Sequence, residues 1–278
     1  MAAMAEVISI SGAAVAPLPA FAHPQVEALD VRKCYGSHGG VNALETISLS
    51  VAKGEFVSIL GPSGCGKTTF LRCIAGIEKP TEGTIKVDGA IVDRPPDGMG
   101  MVFQRDVLLD WRTILDNIFL PVDFRHESRK PYYRRAHELL KLFGLTGFER
   151  HFPSQLSGGM RQRAAICRAL ITDPGLLLMD EPFGALDAMT RDQLNVELQH
   201  IWQSTNKTVI FVTHSIPEAV FLSDRVEVFS PRPGRIVSSL AIDLPRPRRM
   251  SMRHEPGFNH YCSKIREYFE AMGLFKEE

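Results

Sequence analysis

Long apolar runs are missing from this sequence of 278 residues: no stretch approaches the ~20 consecutive apolar residues that a helix needs to cross a bilayer. Net charge is missing too. Lys plus Arg and Asp plus Glu number 32 each, so there is no global basic field of the kind that draws a protein to nucleic acid, and nucleic acid is not expected as a partner. Cysteine is sparse and unpatterned. Cys34, Cys65, Cys73, Cys167 and Cys262 show no C-x-x-C spacing, and an odd count suits a reducing, cytosolic compartment better than a disulfide framework. What remains, 44% apolar and 23% charged residues, is enough for one substantial α/β domain or two small lobes.

The first 24 residues stand apart from the rest. They are apolar and Ala-rich, and Ala20-Phe21-Ala22 resembles a secretory cleavage site. The basic n-region of a signal is absent, since Glu6 is the first charge and Arg32 the first cation, and Pro17 and Pro19 interrupt the run. Residues 1–24 are therefore read as a disordered N-terminal extension, with a processed signal as the alternative.

The strongest local signal is Gly61-Pro62-Ser63-Gly64-Cys65-Gly66-Lys67-Thr68, a complete G-x-x-x-x-G-K-[ST] loop. The apolar run Phe56–Leu60 precedes it and a helix-like segment beginning at Thr69 follows, so the order is strand, glycine loop, helix. Such a loop turns backbone N–H groups inward around phosphates, Lys67 sets a point charge on the β and γ oxygens, and the Thr68 hydroxyl suits a magnesium shell. A nucleoside triphosphate with magnesium is the expected ligand. Cys65 sits near the helix start, where the dipole predicts a lowered thiol pKa and alkylation-sensitive activity protected by ATP; the alternative is an inert small residue.

Elsewhere the hydrophobic period outlines the fold. Ile47, Leu49 and Val51 alternate against Ser48 and Ser50, and with the Gly36–Gly40 turn they predict an antiparallel hairpin from Val26 to Val51. Thr84–Gly89 and Gly100–Phe103 read as short strands. After Gln104 the period changes from 2 to 3.6, as in His137–Phe143, which predicts an inserted helical lobe. Leu176–Met179 and Thr208–Val212 are continuous apolar runs of the type found in parallel strands covered on both faces, with a crossover helix over Thr190–Ser204 between them. The expected class is α/β, a mixed and mainly parallel sheet with an antiparallel β subdomain and an inserted helical subdomain.

The second half adds chemistry. Leu156-Ser157-Gly158-Gly159-Met160 opens a strong helix, and such a cap can nest an anion. Asp180 and Glu181 end the run Leu176–Met179, and the strand pleat predicts that the two carboxylates point apart and serve different roles.

Together these motifs resemble the nucleotide-binding subunit of an ATP-binding-cassette (ABC) transporter over residues 26–240. By this resemblance, 61–68 with Thr69 is the phosphate loop and Gln104 the glutamine loop. Ser157, Gly158 and Gly159 form the signature, with Met160 where Gln is usual. Asp180 ligates magnesium with Thr68 and Gln104, and Glu181 is the catalytic acid. Asp187 in Ala185-Leu186-Asp187 is the D-loop residue, His214 the switch histidine, and Tyr35 the aromatic that stacks on adenine. The resemblance implies ATP hydrolysis in a head-to-tail dimer, with ATP between one copy's phosphate loop and the other's signature. Lys67, Gln104, Glu181 and His214 would be the catalytic group.

It also implies peripheral attachment at the cytoplasmic face of the cell membrane through transmembrane permease subunits, and indirect dependence on an extracytoplasmic solute-binding protein. Val107–Phe119 resembles the stretch that cradles a permease coupling helix, with Trp111 either an interface anchor or a core residue, and Asp110 where relatives often have Pro. Ser230-Pro-Arg-Pro-Gly-Arg-Ile236 and Leu244-Pro-Arg-Pro-Arg248 resemble the branch that imports nitrate, sulfonates, taurine, bicarbonate and similar solutes. A non-transport ABC ATPase acting on DNA or ribosomes, or a P-loop kinase, is a weaker reading.

The expected organisation is 1–24 extension, 25–245 ATPase domain with helices inserted at about 105–172, and 246–278 tail with a short helix over Phe258–Phe269. The basic cluster Arg246, Arg248, Arg249 and Arg253 reads as a solvated charge run, with anionic lipid as the alternative.

Overall fold

A computed structural model describes residues 24–36, 40–184 and 186–274. Two sheets form its frame. The first is antiparallel: β1 (Pro24–Tyr35), β2 (Val41–Ala52), β4 (Glu82–Val87) and β5 (Ala90–Ile91) in the order β2-β1-β4-β5. The second has six strands in the order β10-β9-β3-β8-β7-β6. Its members are β3 (Phe56–Leu60), β6 (Met99–Val102), β7 (Leu176–Asp180), β8 (Thr208–Thr213), β9 (Arg225–Phe229) and β10 (Ile236–Ala241). All neighbours pair in parallel except β10 on β9.

The pleat divides this second sheet between two cores. Val57, Ile59, Leu176, Leu178, Ile210 and Val212 face one side, against the antiparallel sheet and helix α1 (Lys67–Ile74). Their neighbours Phe56, Leu60, Leu177, Met179, Val209 and Phe211 face the other. Both faces are covered, which is why these strands read as unbroken apolar runs. On the second side lie α2 (Ile114–Ile118), α3 (Leu120–Phe124), α4 (Tyr133–Leu142), α5 (Gly158–Leu170), α6 (Ala188–Thr205) and α7 (Ile216–Leu222). Helices α2 to α5 fall between β6 and β7, where the sequence predicts the helical lobe.

The ends differ from expectation. Residues 1–23, most of the predicted extension, lie outside the described residues, and β1 already begins at Pro24. The C-terminal helix α8 runs Pro256–Ala271, longer than the predicted Phe258–Phe269. It buries Phe258, Cys262, Ile265 and Phe269 in the core shared with α6 and α7. A stripe at i, i+4, i+7 and i+11 is a core-facing helix stripe.

The basic cluster is neither a solvated run nor a lipid-facing patch. Arg248 is 2% exposed, and its guanidinium donates to the carbonyls of Val220 and Ser223 (2.7 Å each), Phe221 (3.2 Å) and Ile242 (3.1 Å). Those carbonyls include the unpaired end of α7, so a cation is the natural cap. Burial pushes Arg248 down to about 10, still protonated at neutral pH. Gln199 of α6 holds the Arg248 backbone from both sides, donating to its carbonyl and accepting from its N–H. Arg246 lies over the Trp202 ring (4.2 Å) and pairs with Asp224, and Arg253 pairs with Asp192. Only Arg249 of the four is exposed.

Candidate functional site

The phosphate loop leaves β3 and enters α1 through Gly66, at φ 109°. A Cβ there would sit 2.6 Å from the Ala43 carbonyl and 2.7 Å from Leu44 Cδ2, so only glycine fits. The first N–H groups of α1 lack helical partners, and the residues of that first turn, Lys67, Thr68 and Thr69, line a cavity beside the loop. That cavity, about 250 Å³, is lined by Ser63, Gly64, Gly66, Lys67, Thr68 and Thr69 on one side and by Tyr35, Val41 and Ala43 on another, with Gln104, Glu181 and Arg232 at the rim. Lys33 Nζ stands 4.9 Å from the centre of the Tyr35 ring, so a cation holds one aromatic face.

Lys67 is 4% exposed and curls back, its Nζ donating to the carbonyls of Gly61 (2.9 Å) and Pro62 (3.0 Å). Its Nζ is 3.7 Å from Glu181 Oε1. The other Glu181 oxygen accepts from Gln104 Nε2 at 3.3 Å and meets His214 Nδ1 at 3.2 Å. Three of the four residues predicted to be catalytic, Lys67 of α1, Gln104 after β6 and His214 after β8, thus converge on the carboxylate of the fourth, Glu181 after β7.

Asp180 and Glu181 are separated by more than the pleat. Asp180 is the last residue of β7, 3% exposed, and accepts from the Thr68 hydroxyl at 2.9 Å. Burial pushes its carboxyl above the usual range, and the Thr68 hydrogen bond opposes this. Glu181 then leaves the strand at φ 44°, the left-handed region, anchored by its N–H on the Val212 carbonyl at 2.9 Å. That backbone reversal carries both acids to the phosphate loop with different partners, and such strain gathers at working sites.

For magnesium, the Thr68 hydroxyl and Asp180 carboxylate form a pair of hard oxygen donors beside the phosphate loop. Among the described residues no group of three or more His, Cys, Asp or Glu could hold a metal by itself. Two protein oxygens would leave the rest of a magnesium shell to phosphate and water.

Behind His214 is a brace that the sequence does not reveal. Thr213 Oγ1 donates to buried Glu218 at 2.6 Å, Glu218 Oε1 is 3.5 Å from Arg191 Nε, and Arg191 Nη2 donates to the Leu186 carbonyl at 2.9 Å. Arg232, also unpredicted, hangs over the phosphate loop with Nε on the Gly64 carbonyl at 3.1 Å. No local pattern could place it there, because the contact joins residues 168 apart in sequence.

Other predicted residues stand elsewhere. Ser157 caps α5, accepting from Met160 N at 3.3 Å, and Asp187 caps α6, accepting from Thr190 N at 3.0 Å. Neither these two nor Gly158 and Gly159 line the cavity. Ala185 of the predicted D-loop lies outside the described residues. Cys65 departs from the expected lowered thiol pKa: it is 1% exposed, and burial pushes its thiol up despite the Lys67 charge.

A second hollow, about 340 Å³, lies on the helical side, lined by Phe103, Val107, Leu109, Leu120 and Phe124 among others. Trp111 is 74% exposed and Phe124 78%, which removes the core reading of Trp111. The segment 104–110 above it is braced from α5: Arg161 Nε reaches Asp106 at 2.9 Å, and Arg168 donates to the carbonyls of Asp106 (2.7 Å) and Val107 (2.6 Å).

Residues 44–184 match the family model described as ABC transporter. The chain is 52% identical over 208 residues to an uncharacterised ABC transporter ATP-binding protein of Methanocaldococcus jannaschii, covering 75% of this chain and 78% of that one. It is 50% identical to the taurine import ATP-binding protein TauB of Rhizobium johnstonii, over 74% of this chain and 79% of that one. To the aliphatic sulfonates import ATP-binding protein SsuB of Bacillus cereus it is 41% identical, over 86% and 92%. Among solved structures it resembles a dimeric ATP-binding cassette in a post-hydrolysis state bound to ADP and Pi, with TM-score 0.71, 35% identity and coverage of 79% of this chain and all of that one.

Proposed function

From the fact that this chain belongs to the ABC transporter family, we propose that its ATP hydrolysis drives import of small sulfonates, taurine or an aliphatic sulfonate, through a separate permease. The chain is an ATP-binding and ATP-hydrolysing importer subunit. The convergence of Lys67, Gln104 and His214 on Glu181 beside the phosphate loop carries the reading.

In this scheme the Ser63–Thr69 backbone and Lys67 bind the phosphates, and Tyr35 stacks on adenine with the ring face that Lys33 leaves free. Thr68, Asp180 and Gln104 hold magnesium, which when bound offsets phosphate charge. Glu181 orients the attacking water and accepts its proton, while Gln104 and His214 register the γ-phosphate. Ser157, Gly158, Gly159 and Asp187 serve the nucleotide of a second copy, a reading supported by their absence from the lining of their own chain's cavity.

The ATPase unit spans residues 25–245 with the lobe at about 105–172, and the segment from 246 is docked on it rather than hanging free. The hollow lined by exposed Phe124 receives the permease, with exposed Trp111 of the same lobe as a second aromatic anchor. Attachment is at the cytoplasmic face, and a solute-binding protein outside delivers the cargo. No described helix is long and apolar enough to cross a membrane.

The test is reconstitution of the chain with its permease in vesicles, with ATP turnover read as the cognate binding protein is loaded with taurine, an alkanesulfonate or nitrate. Sulfonate-dependent stimulation is expected, and it should vanish in Trp111→Glu while basal turnover of the free chain persists. Stimulation by nitrate alone would overturn the sulfonate assignment.

A further inference from the structure

The loop between β9 and β10, Ser230–Arg235, is built into the nucleotide site. Ser230 and Arg235 close it, with Ser230 N on the Arg235 carbonyl at 2.9 Å and the Ser230 hydroxyl accepting from Arg235 N at 3.1 Å. Its tip is fastened to β2: Gly234 N donates to the Ala43 carbonyl at 3.0 Å, and Glu45 N donates to the Gly234 carbonyl at 2.9 Å. Gly234 lies so close that a Cβ would be 2.2 Å from the Cys65 carbonyl. The loop therefore rests on the phosphate loop itself, and its one long cation, Arg232, projects over Gly64 into the lining of the cavity.

Charge at that cavity is unevenly answered. Lys67 is within 3.7 Å of Glu181 and spends its protons on two carbonyls. Arg232 is exposed, and its one hydrogen bond is from Nε to a neutral carbonyl; among the described residues it forms no ion pair. With Nε so anchored, the two terminal amino groups remain as a fork, and such a fork matches phosphate oxygens. Arg232 thus stands over the phosphate loop as a cation that no described carboxylate neutralises.

We propose that Arg232 is a nucleotide-binding residue, pairing its terminal guanidinium nitrogens with the polyphosphate of ATP while Nε stays on Gly64. This rests on the ATPase reading and adds to it a contact from the Ser230–Arg235 loop.

ATP and ADP affinities of the full chain, measured with magnesium at several salt concentrations, test it in wild type, Arg232→Ala, Arg232→Lys and Lys67→Ala. Arg232→Ala should weaken ATP about tenfold and flatten the salt dependence, since one charge-assisted contact is lost at a partly wet rim. Arg232→Lys, which keeps the charge but loses the Nε hydrogen bond and the fork, should recover the salt slope and only part of the affinity. Thermal unfolding without nucleotide should be unchanged in both. If the salt slope of Arg232→Ala equals that of wild type, Arg232 is only a brace on Gly64 and the proposal falls; it falls equally if Arg232→Ala binds as wild type does while Lys67→Ala does not. Failure of the wild type to bind ATP would instead sink the ATPase reading.

Discussion

Glu181 Oε2 and His214 Nδ1 stand 3.2 Å apart, although the two residues leave different strands of the parallel sheet. Strands β7 and β8 are neighbours, and Asp180 pairs with Val212, so the residues just past each strand end are brought to the same edge. The backbone turn at Glu181 completes the approach. Replacing Glu181 by Gln keeps the shape and the hydrogen bonds but removes the acceptor of a proton. We expect Glu181→Gln to bind ATP as wild type does and to turn over about 10²–10⁴-fold more slowly. Single-turnover hydrolysis at a normal rate would free Glu181 from that role.

Ser157 offers its hydroxyl at the start of α5, outside the cavity of its own chain. Ser157→Arg should leave ATP affinity intact and abolish the ATP-dependent dimer, because a bulky cation replaces the anion nest. Light scattering with ATP in the Glu181→Gln background reads this directly; a dimer that forms as before would count against shared sites.

Thiol chemistry gives a simple count. Cys34 is exposed, whereas Cys65, Cys73, Cys167 and Cys262 are buried as free thiols. Burial also pushes Cys73 up to about 11, so little thiolate is present at neutral pH. A disulfide reagent should therefore titrate one of the five thiols in the folded chain and all five in denaturant. ATP should not change the folded count.

Arg248 caps the carboxyl end of α7 from within the core. Arg248→Ala leaves several buried carbonyls without a donor, so unfolding in urea should show a loss of about 3 kcal/mol. Its exposed neighbour gives the control, since Arg249→Ala should stay within about 0.5 kcal/mol of wild type.

In the helical lobe, Arg129 bridges Asp116 and Asp123, 2.7 Å from each, and Arg112 joins Asp123 at 2.7 Å. The Arg129 hydrogen bond holds the Asp123 carboxyl below the ordinary aspartate value of 3.8, and Thr113 with Arg129 does the same for Asp116. A lowered folded pKa stabilises the fold above the unfolded value, and that contribution fades as pH falls through the folded one. Arg129→Met should therefore lower the urea midpoint at neutral pH, and the gap from wild type should shrink once the pH drops below about 3.8. A gap independent of pH would assign the effect to packing.

What the sequence discloses about this site is what chemistry encodes locally. The phosphate loop needs glycines at set spacing, and the runs around Ile59, Leu178 and Ile210 need no partner to declare themselves buried strands. Arg232 and Arg248 behave differently. Each is a cation in a Pro-rich stretch, and whether such a residue meets solvent, lipid or a carbonyl depends on contacts made far along the chain: Gly64 for one, Val220 for the other. Cys65 misleads for a related reason, because the helix start favours its thiolate while the packing above it, set by Phe229 and Gly61, removes the water that a thiolate needs.

The straps from Arg161 and Arg168 to residues 106 and 107 tie the rim of the helical-side hollow to the helix that Ser157 begins. Gln104 sits two residues from one end of those straps, touching Glu181. Under the proposed assembly, a push delivered at that rim would bear at once on the acid that Gln104 touches and on the helix whose Ser157 cap serves a second copy.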